Sequence, residues 1–117
     1  MHNTKIYHNP RCSKCRAALA LLRERGIEPQ IIPYLEQPLS LAELSALLQQ
    51  LGFTDARALM RKGESEYQDL GLDDPTLPQD VLLAALVEHP VLIERPVFVH
   101  QGRAIIGRPP ERVLEIL

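Results

Sequence analysis

Tryptophan is absent from this chain of 117 residues, and aromatic residues of all kinds make up only 4%. The core must therefore consist mainly of leucine, isoleucine, valine and alanine, within a hydrophobic content of 45% that is ordinary for one globular domain. A basic excess is also lacking, because the net charge is −2. That charge argues against a protein that binds nucleic acid directly.

Long apolar runs and cysteines are scarce as well. No run is long enough to span a bilayer and no signal peptide is visible, so we expect a cytoplasmic protein that does not contact membranes. There are two cysteines, Cys12 and Cys15, and a structural disulfide between them is not expected in a reducing compartment. A zinc site needs about four ligands, and no second Cys or His pair has metal-binding spacing, so we expect no metal.

The cysteines lie where a predicted strand, residues 5–8, gives way to a predicted helix, residues 16–25. The N-terminus of a helix favours an anion, and so it favours a thiolate, the reactive form of cysteine. Positive charge is added by three neighbours, Arg11, Lys14 and Arg16. We therefore predict that Cys12 is a nucleophile and a thiolate at neutral pH.

Three further residues near Cys12 are candidates for a role in the site. Cys15 lies one helical turn away on the same side, and it is either a resolving thiol that attacks an adduct on Cys12 or an inert packed residue. His8, at the end of the strand, either interacts with the thiolate or is only a surface residue. Asn9 is expected to hydrogen-bond within the turn.

Three arginines stand beside glycine or proline at the ends of predicted elements: Arg61, Arg95 and Arg108. An arginine of this kind is often a solvated surface residue. Binding residues nevertheless collect at such ends, and the planar guanidinium binds oxyanions through paired hydrogen bonds. The sequence pattern alone leaves both interpretations open for each arginine.

The order of the remaining predicted elements indicates an α/β fold. A second strand at 30–33 would lie parallel to the first, and a hairpin is predicted from strands at 97–100 and 104–106, followed by a last helix from about 109. Between them, helices are predicted at 40–50, 55–61, 65–70 and 78–87. This is the thioredoxin-like layout, β-α-β plus β-β-α, in a single domain 1–117 with a helical insert at about 40–90. It also predicts a cis peptide bond between Arg95 and Pro96.

Five short motifs resemble, in order along nearly the whole chain, the glutaredoxin/glutathione-linked arsenate reductase family. They are His8-Asn9-Pro10-x-Cys12, Leu59-Met60-Arg61-Lys62, Tyr67-x-x-Leu70-Gly71-Leu72, Glu94-Arg95-Pro96-Val97 and Gly107-Arg108-Pro109. The first two are the more specific.

The resemblance implies a role for each matching residue. Cys12 corresponds to the nucleophile that attacks arsenate, His8 to a residue that favours its thiolate, and Arg61, Arg95 and Arg108 to the arginines that bind the oxyanion. Together with their positions at element ends, the resemblance predicts that the three arginines converge on Cys12. Glutathione, as co-substrate, then attacks the adduct, glutaredoxin resolves the mixed disulfide, and arsenite is released. No bound metal or organic cofactor is implied.

Cys15 departs from the family pattern, in which serine or another residue often stands at this position. A Cys-x-x-Cys pair occurs in the related Spx-type regulators. The alternative function is therefore an Spx-like redox sensor, in which a Cys12–Cys15 disulfide controls a protein partner. Retention of the three arginines favours the reductase.

Overall fold

The computed structural model describes residues 4–117, so the first three residues of the predicted domain lie outside the described residues. The described chain forms two compact units. The first combines the chain up to Gln37 with Arg95–Leu117, and the second is Pro38–Glu94. The second unit includes the range predicted as a helical insert, while the assignment of one domain stays a prediction.

The first unit is built on a four-stranded sheet in the order β2-β1-β3-β4. The strands are β1 (Thr4–Tyr7), β2 (Gln30–Ile32), β3 (Val97–His100) and β4 (Arg103–Ile106). Strand β1 pairs in parallel with β2 and antiparallel with β3, which continues into the β3–β4 hairpin. The predicted α/β order of strands is therefore confirmed, and the C-terminal ends of β1 and β2 meet at one edge of the sheet.

Helix α1 (Ser13–Glu24) supplies the apolar face that packs on this sheet. Its buried residues recur at helical spacing, so one side of the helix can enter the core while the other stays in solvent. A 3-10 helix at Pro110–Ile116 packs against α1 and closes the same core. The buried members of this core are Ile6, Ala18, Leu19, Leu22, Phe98, Ile105, Val113 and Ile116.

The two ends of the hairpin are held close together. The Arg95–Pro96 peptide bond is cis, as predicted, and the Arg108–Pro109 bond is also cis, which the sequence did not lead us to expect. The backbone N–H of Gly107 donates to the Pro96 carbonyl at 2.8 Å. A Cβ atom on Gly107 would lie 2.9 Å from the Pro96 ring and 3.0 Å from a Val113 methyl group. The absence of a side chain at Gly107 therefore permits this contact.

The second unit is helical. It contains α2 (Leu41–Leu51), α3 (Ser65–Asp69) and α4 (Gln79–Glu88), with 3-10 turns at Ala56–Leu59 and Pro90–Leu92. Helix α2 begins with a capping box, in which Ser40 and Glu43 each bond the backbone of the other, and it ends at Gly52 in the left-handed conformation. Helices α2 and α4 pack together through buried leucines.

Two predicted helix boundaries were wrong. Helix α1 begins at Ser13, three residues earlier than predicted, because Cys12 already has the extended backbone of an N-cap. The predicted helix at 55–61 is only a 3-10 turn of four residues, whereas the predicted last helix is present and is of the 3-10 type. No helix within residues 4–117 combines the length and apolar character needed to cross a bilayer.

Candidate active site

Cys12 lies at the N-terminus of α1, at the end of a tight loop that follows β1. Its backbone N–H donates to the Asn9 carbonyl at 3.0 Å, and the Asn9 side chain accepts from the N–H of Arg11, also at 3.0 Å. The Arg16 guanidinium donates to the Pro10 carbonyl at 2.8 Å. These bonds confirm the turn role predicted for Asn9. They leave the Cys12 side chain 8% exposed beside the free N–H groups of the helix.

Two of the predicted arginines reach the Cys12 sulfur. The Arg108 Nη2 atom lies 3.8 Å from Cys12 Sγ, and the Arg95 side chain hydrogen-bonds the same sulfur. The Arg108 Nε–H also donates to the Arg95 carbonyl at 2.7 Å. One arginine therefore fixes the backbone that carries the other. Both guanidinium groups lie within the first unit, next to a sulfur that can carry a negative charge.

The pKa of Cys12 is lowered to about 7. Burial raises this pKa, but interactions that favour the thiolate more than offset the burial. They come from the backbone N–H of Cys15, the Arg95 side chain, the Cys15 thiol and the backbone N–H of Lys14. The helix N-terminus thus acts as predicted.

The charges predicted to help Cys12 differ from those that do. The side chains of Arg11 and Lys14 are exposed, and Arg16 is engaged with a carbonyl. Water screens an exposed charge, whereas Arg95 interacts with the sulfur in a partly desolvated place. The cation that supports the thiolate is therefore distant in sequence rather than adjacent.

Cys15 has the opposite properties. Its side chain is fully buried, and its pKa is raised to about 12, first by burial and also by the neighbouring Cys12 sulfur. The backbone N–H of Asn9 partly offsets these effects. Both cysteines are free. At neutral pH Cys15 is therefore a protonated thiol. The choice between a resolving thiol and a packed residue stays open.

His8 is buried at the end of β1, so the reading of a surface residue was wrong. Its exposed fraction is 7%, and its Nδ1 atom has no hydrogen-bond partner among the described residues. Burial lowers its pKa, and the charges of Arg23 and Arg16 lower it further. The imidazole is therefore neutral at pH 7. Any help to the Cys12 thiolate has to come from a neutral ring rather than from a cation, and the role stays a prediction.

Arg61 belongs to the second unit, where two carboxylates hold it. Its Nε atom lies 3.1 Å from Glu64 and its Nη1 atom lies 3.0 Å from Glu94. Its backbone N–H donates to the Leu92 carbonyl at 2.7 Å. Its predicted approach to Cys12 stays a prediction.

Known proteins resemble this chain over nearly the whole of its length. The sequence model of the ArsC family matches residues 7–116. The chain belongs to the ArsC family. It is 48% identical over 117 residues to a protein named arsenate reductase from Neisseria meningitidis serogroup B, with all of both chains covered. It is 53% identical to the uncharacterized protein YfgD of Escherichia coli K12 over 113 residues, covering 97% of this chain and 95% of that protein.

A solved structure of similar size confirms the thioredoxin-like fold of the ArsC family. The structure named arsenate reductase from Vibrio cholerae is 55% identical, with a TM-score of 0.96, and covers 99% of this chain and 98% of its own. The resemblance inferred from the five motifs is thereby confirmed at the level of family and fold.

Tyr34 is a residue of the site that the sequence did not single out. It is fully buried two residues beyond β2, and its side chain interacts electrostatically with Arg95. The phenol and the Cys12 sulfur both raise the pKa of Arg95, although burial alone would lower it. A signal was available, because β2 runs parallel to β1 and the residue after its end must approach the Cys12 loop.

Within residues 4–117 no group of three or more His, Cys, Asp and Glu residues could hold a metal ion.

Proposed function

We propose that this chain reduces arsenate to arsenite by nucleophilic attack of Cys12, with glutathione and glutaredoxin supplying the electrons. The observation that carries the proposal is the Cys12 sulfur at a helix N-terminus, with a pKa of about 7 and with Arg95 and Arg108 directed at it. The names of the relatives support the same substrate.

The arrangement addresses the main electrostatic obstacle of the reaction. Arsenate and a thiolate are both anions, and their approach is unfavourable unless cations surround them. Arg95 and Arg108 already contact the sulfur, so an oxyanion that approaches Cys12 to bonding distance also comes within reach of these two guanidinium groups. By the family resemblance, we assign Arg61 to the same oxyanion.

The proposed steps balance in atoms and electrons. The Cys12 thiolate forms an S–As bond as one oxygen of arsenate leaves as water after protonation. The glutathione thiolate then attacks the Cys12 sulfur. The S–As bond breaks, and its electron pair stays on arsenic, which becomes arsenic(III). The product on the protein is a mixed disulfide, which glutaredoxin reduces. The residues that act need no bound metal or organic cofactor.

The reaction consumes reduced thiols, and we therefore place it in the cytoplasm, where thiols are kept reduced. The relatives reported above are named arsenate reductase or carry no functional name. The comparisons therefore do not favour the alternative of an Spx-like regulator.

A coupled assay tests the proposal. Arsenate, glutathione, glutaredoxin, glutathione reductase and NADPH are mixed with the protein, and NADPH oxidation is followed. We expect arsenate-dependent oxidation that is lost in Cys12→Ser. Arsenate-dependent turnover that persists in Cys12→Ser would show that Cys12 is not the nucleophile, and no turnover in the unaltered protein would refute arsenate as the substrate.

A further inference from the structure

The sulfur atoms of Cys12 and Cys15 lie together at the first turn of α1. Cys12 is the N-cap residue, Cys15 is the third residue of the helix, and both are free. The two thiols interact, because Cys15 favours the Cys12 thiolate and the Cys12 sulfur disfavours the Cys15 thiolate. Cys12 is the more exposed of the two, since Cys15 is fully buried. An atom that bonds to the Cys12 sulfur therefore lies near a second sulfur.

A bridging atom joins two sulfurs over a greater distance than a direct bond does. A disulfide prefers Cβ atoms about 3.8 Å apart. An atom inserted between the sulfurs lengthens the bridge and relaxes that demand. Sulfur is a soft ligand and prefers a soft partner, and trivalent arsenic is one.

We propose that Cys12 and Cys15 together form a dithiol site for trivalent arsenic, in which one arsenic atom is bonded to both sulfurs. The inference rests on the proposed function in one respect, since the reduction of arsenate by this protein would release the ligand beside the site, where it can bind once glutaredoxin has restored the Cys12 thiol. Binding of arsenite from solution does not require that reaction.

The binding step involves no change of oxidation state. Arsenous acid has three hydroxyl groups on arsenic. Two As–O bonds break and two As–S bonds form, one to Cys12 and one to Cys15. The two hydroxyls leave as water, taking the proton of the Cys15 thiol and one proton from solvent, because Cys12 is already a thiolate. The third hydroxyl stays on arsenic.

The site implies a second role for Cys15, which is retention of the product. The first As–S bond holds arsenic next to the second sulfur, so the second bond forms within one molecule and gains the advantage of proximity. Arsenite should then leave slowly and inhibit turnover. A chain with serine at position 15 would bind the product through one sulfur and release it sooner.

Intact mass spectrometry of the reduced, full-length protein incubated with arsenite tests the site. Two As–S bonds add the mass of arsenous acid less two waters, whereas one bond adds the same mass less a single water. We expect the loss of two waters. An adduct that has lost one water, or no adduct, would overturn the proposal. The unaltered protein decides the matter, so the result does not depend on how well any variant folds.

A matched variant measures what the second sulfur contributes. In Cys15→Ser we expect an adduct that has lost only one water, and an arsenite dissociation constant raised at least about 100-fold, because the intramolecular second bond is gone. Cys12→Ser should also fail to form the adduct that has lost two waters. Equal arsenite affinity in the unaltered protein and Cys15→Ser would contradict chelation.

The same experiments separate this inference from the proposed function. Arsenate turnover combined with an arsenite adduct that has lost only one water would refute the dithiol site and leave the proposed reductase function intact. An adduct that has lost two waters, in a protein that does not reduce arsenate, would support the dithiol site and refute the proposed function.

Discussion

Arginine meets different partners in the two units. In the first unit, Arg95 and Arg108 donate to the Cys12 sulfur. In the second, Arg61 donates to the carboxylates of Glu64 and Glu94. All three stand beside glycine or proline near the end of an element. Local sequence identifies where such an arginine stands, but the fold decides which side chains its guanidinium meets, a sulfur in one unit and carboxylates in the other.

Replacement of Arg95 by lysine should have the largest effect on activity. An ammonium group cannot contact Cys12, Tyr34 and an oxyanion with the geometry of a guanidinium. We expect kcat/KM for arsenate to fall about 10²–10³-fold in Arg95→Lys, the usual loss for one transition-state donor. The coupled assay measures it, with Arg103→Lys as the control because Arg103 is exposed on β4. Full turnover in Arg95→Lys would show that the contact between the Arg95 guanidinium and Cys12 does not serve the reaction.

The reactivity of Cys12 should depend on pH with a midpoint near its pKa of about 7. Since only the thiolate reacts, alkylation by iodoacetamide should accelerate about 50-fold between pH 5 and pH 7. Peptide mapping should find the label on Cys12 and not on buried Cys15. A midpoint at the free-thiol value of about 8.5 would show that the first unit does not stabilise the thiolate.

The same pKa has a consequence for folding stability. The folded-state pKa of Cys12 is depressed, so its contribution to stability is present above the unfolded pKa of about 8.5 and is lost as the pH falls through about 7. Cys15, whose pKa is raised, contributes below its unfolded pKa and loses that contribution at higher pH.

Removal of the Tyr34 hydroxyl should have an intermediate effect. The phenol interacts with Arg95 and raises its pKa, so loss of the hydroxyl should lower kcat/KM about tenfold, the usual size of one lost polar interaction. The midpoint of Cys12 alkylation should also move to higher pH in Tyr34→Phe, a change that loss of packing alone would not produce. Tyr67→Phe is the control in the second unit. An unchanged midpoint would assign Tyr34 to packing.

Weakening of the carboxylate pair around Arg61 should have the smallest effect. The side chains of Arg61 and Glu94 are each 23% exposed, and such an ion pair contributes about 1 kcal/mol or less. We expect Glu94→Gln to lower the melting temperature by a few degrees and to leave the Cys12 alkylation midpoint unchanged. A shift of that midpoint would show that the charges around Arg61 influence the Cys12 thiolate.

The sequence was sufficient for most of the fold because its signals were local. The capping box at Ser40, the glycine that ends α2, and the short turn between β3 and β4 each fix a backbone conformation without distant contacts. The 3-10 type of two helices could not be predicted, because helical periodicity over four to seven residues does not distinguish 3.0 from 3.6 residues per turn.

The site was less predictable because its energetics depend on burial and on long-range contacts. Arg95 and Tyr34 are separated by more than half the chain, and only the sheet order brings them together. The burial of His8, which makes it neutral, also follows from tertiary packing. The role of the helix N-terminus at Cys12 was predictable, since it requires only a strand followed by a helix.

The contact at Gly107 limits which variants of this chain can persist. Every substitution there adds at least a Cβ atom. That atom would lie 2.9 Å from the Pro96 ring and 3.0 Å from a Val113 methyl group, which is closer than ordinary packing distance. The segments carrying Arg95 and Arg108 would have to separate, although neither arginine had been altered. In a library of random variants, position 107 should therefore tolerate change as poorly as the residues that meet the substrate, and an inherited change there would remove activity without touching the chemistry.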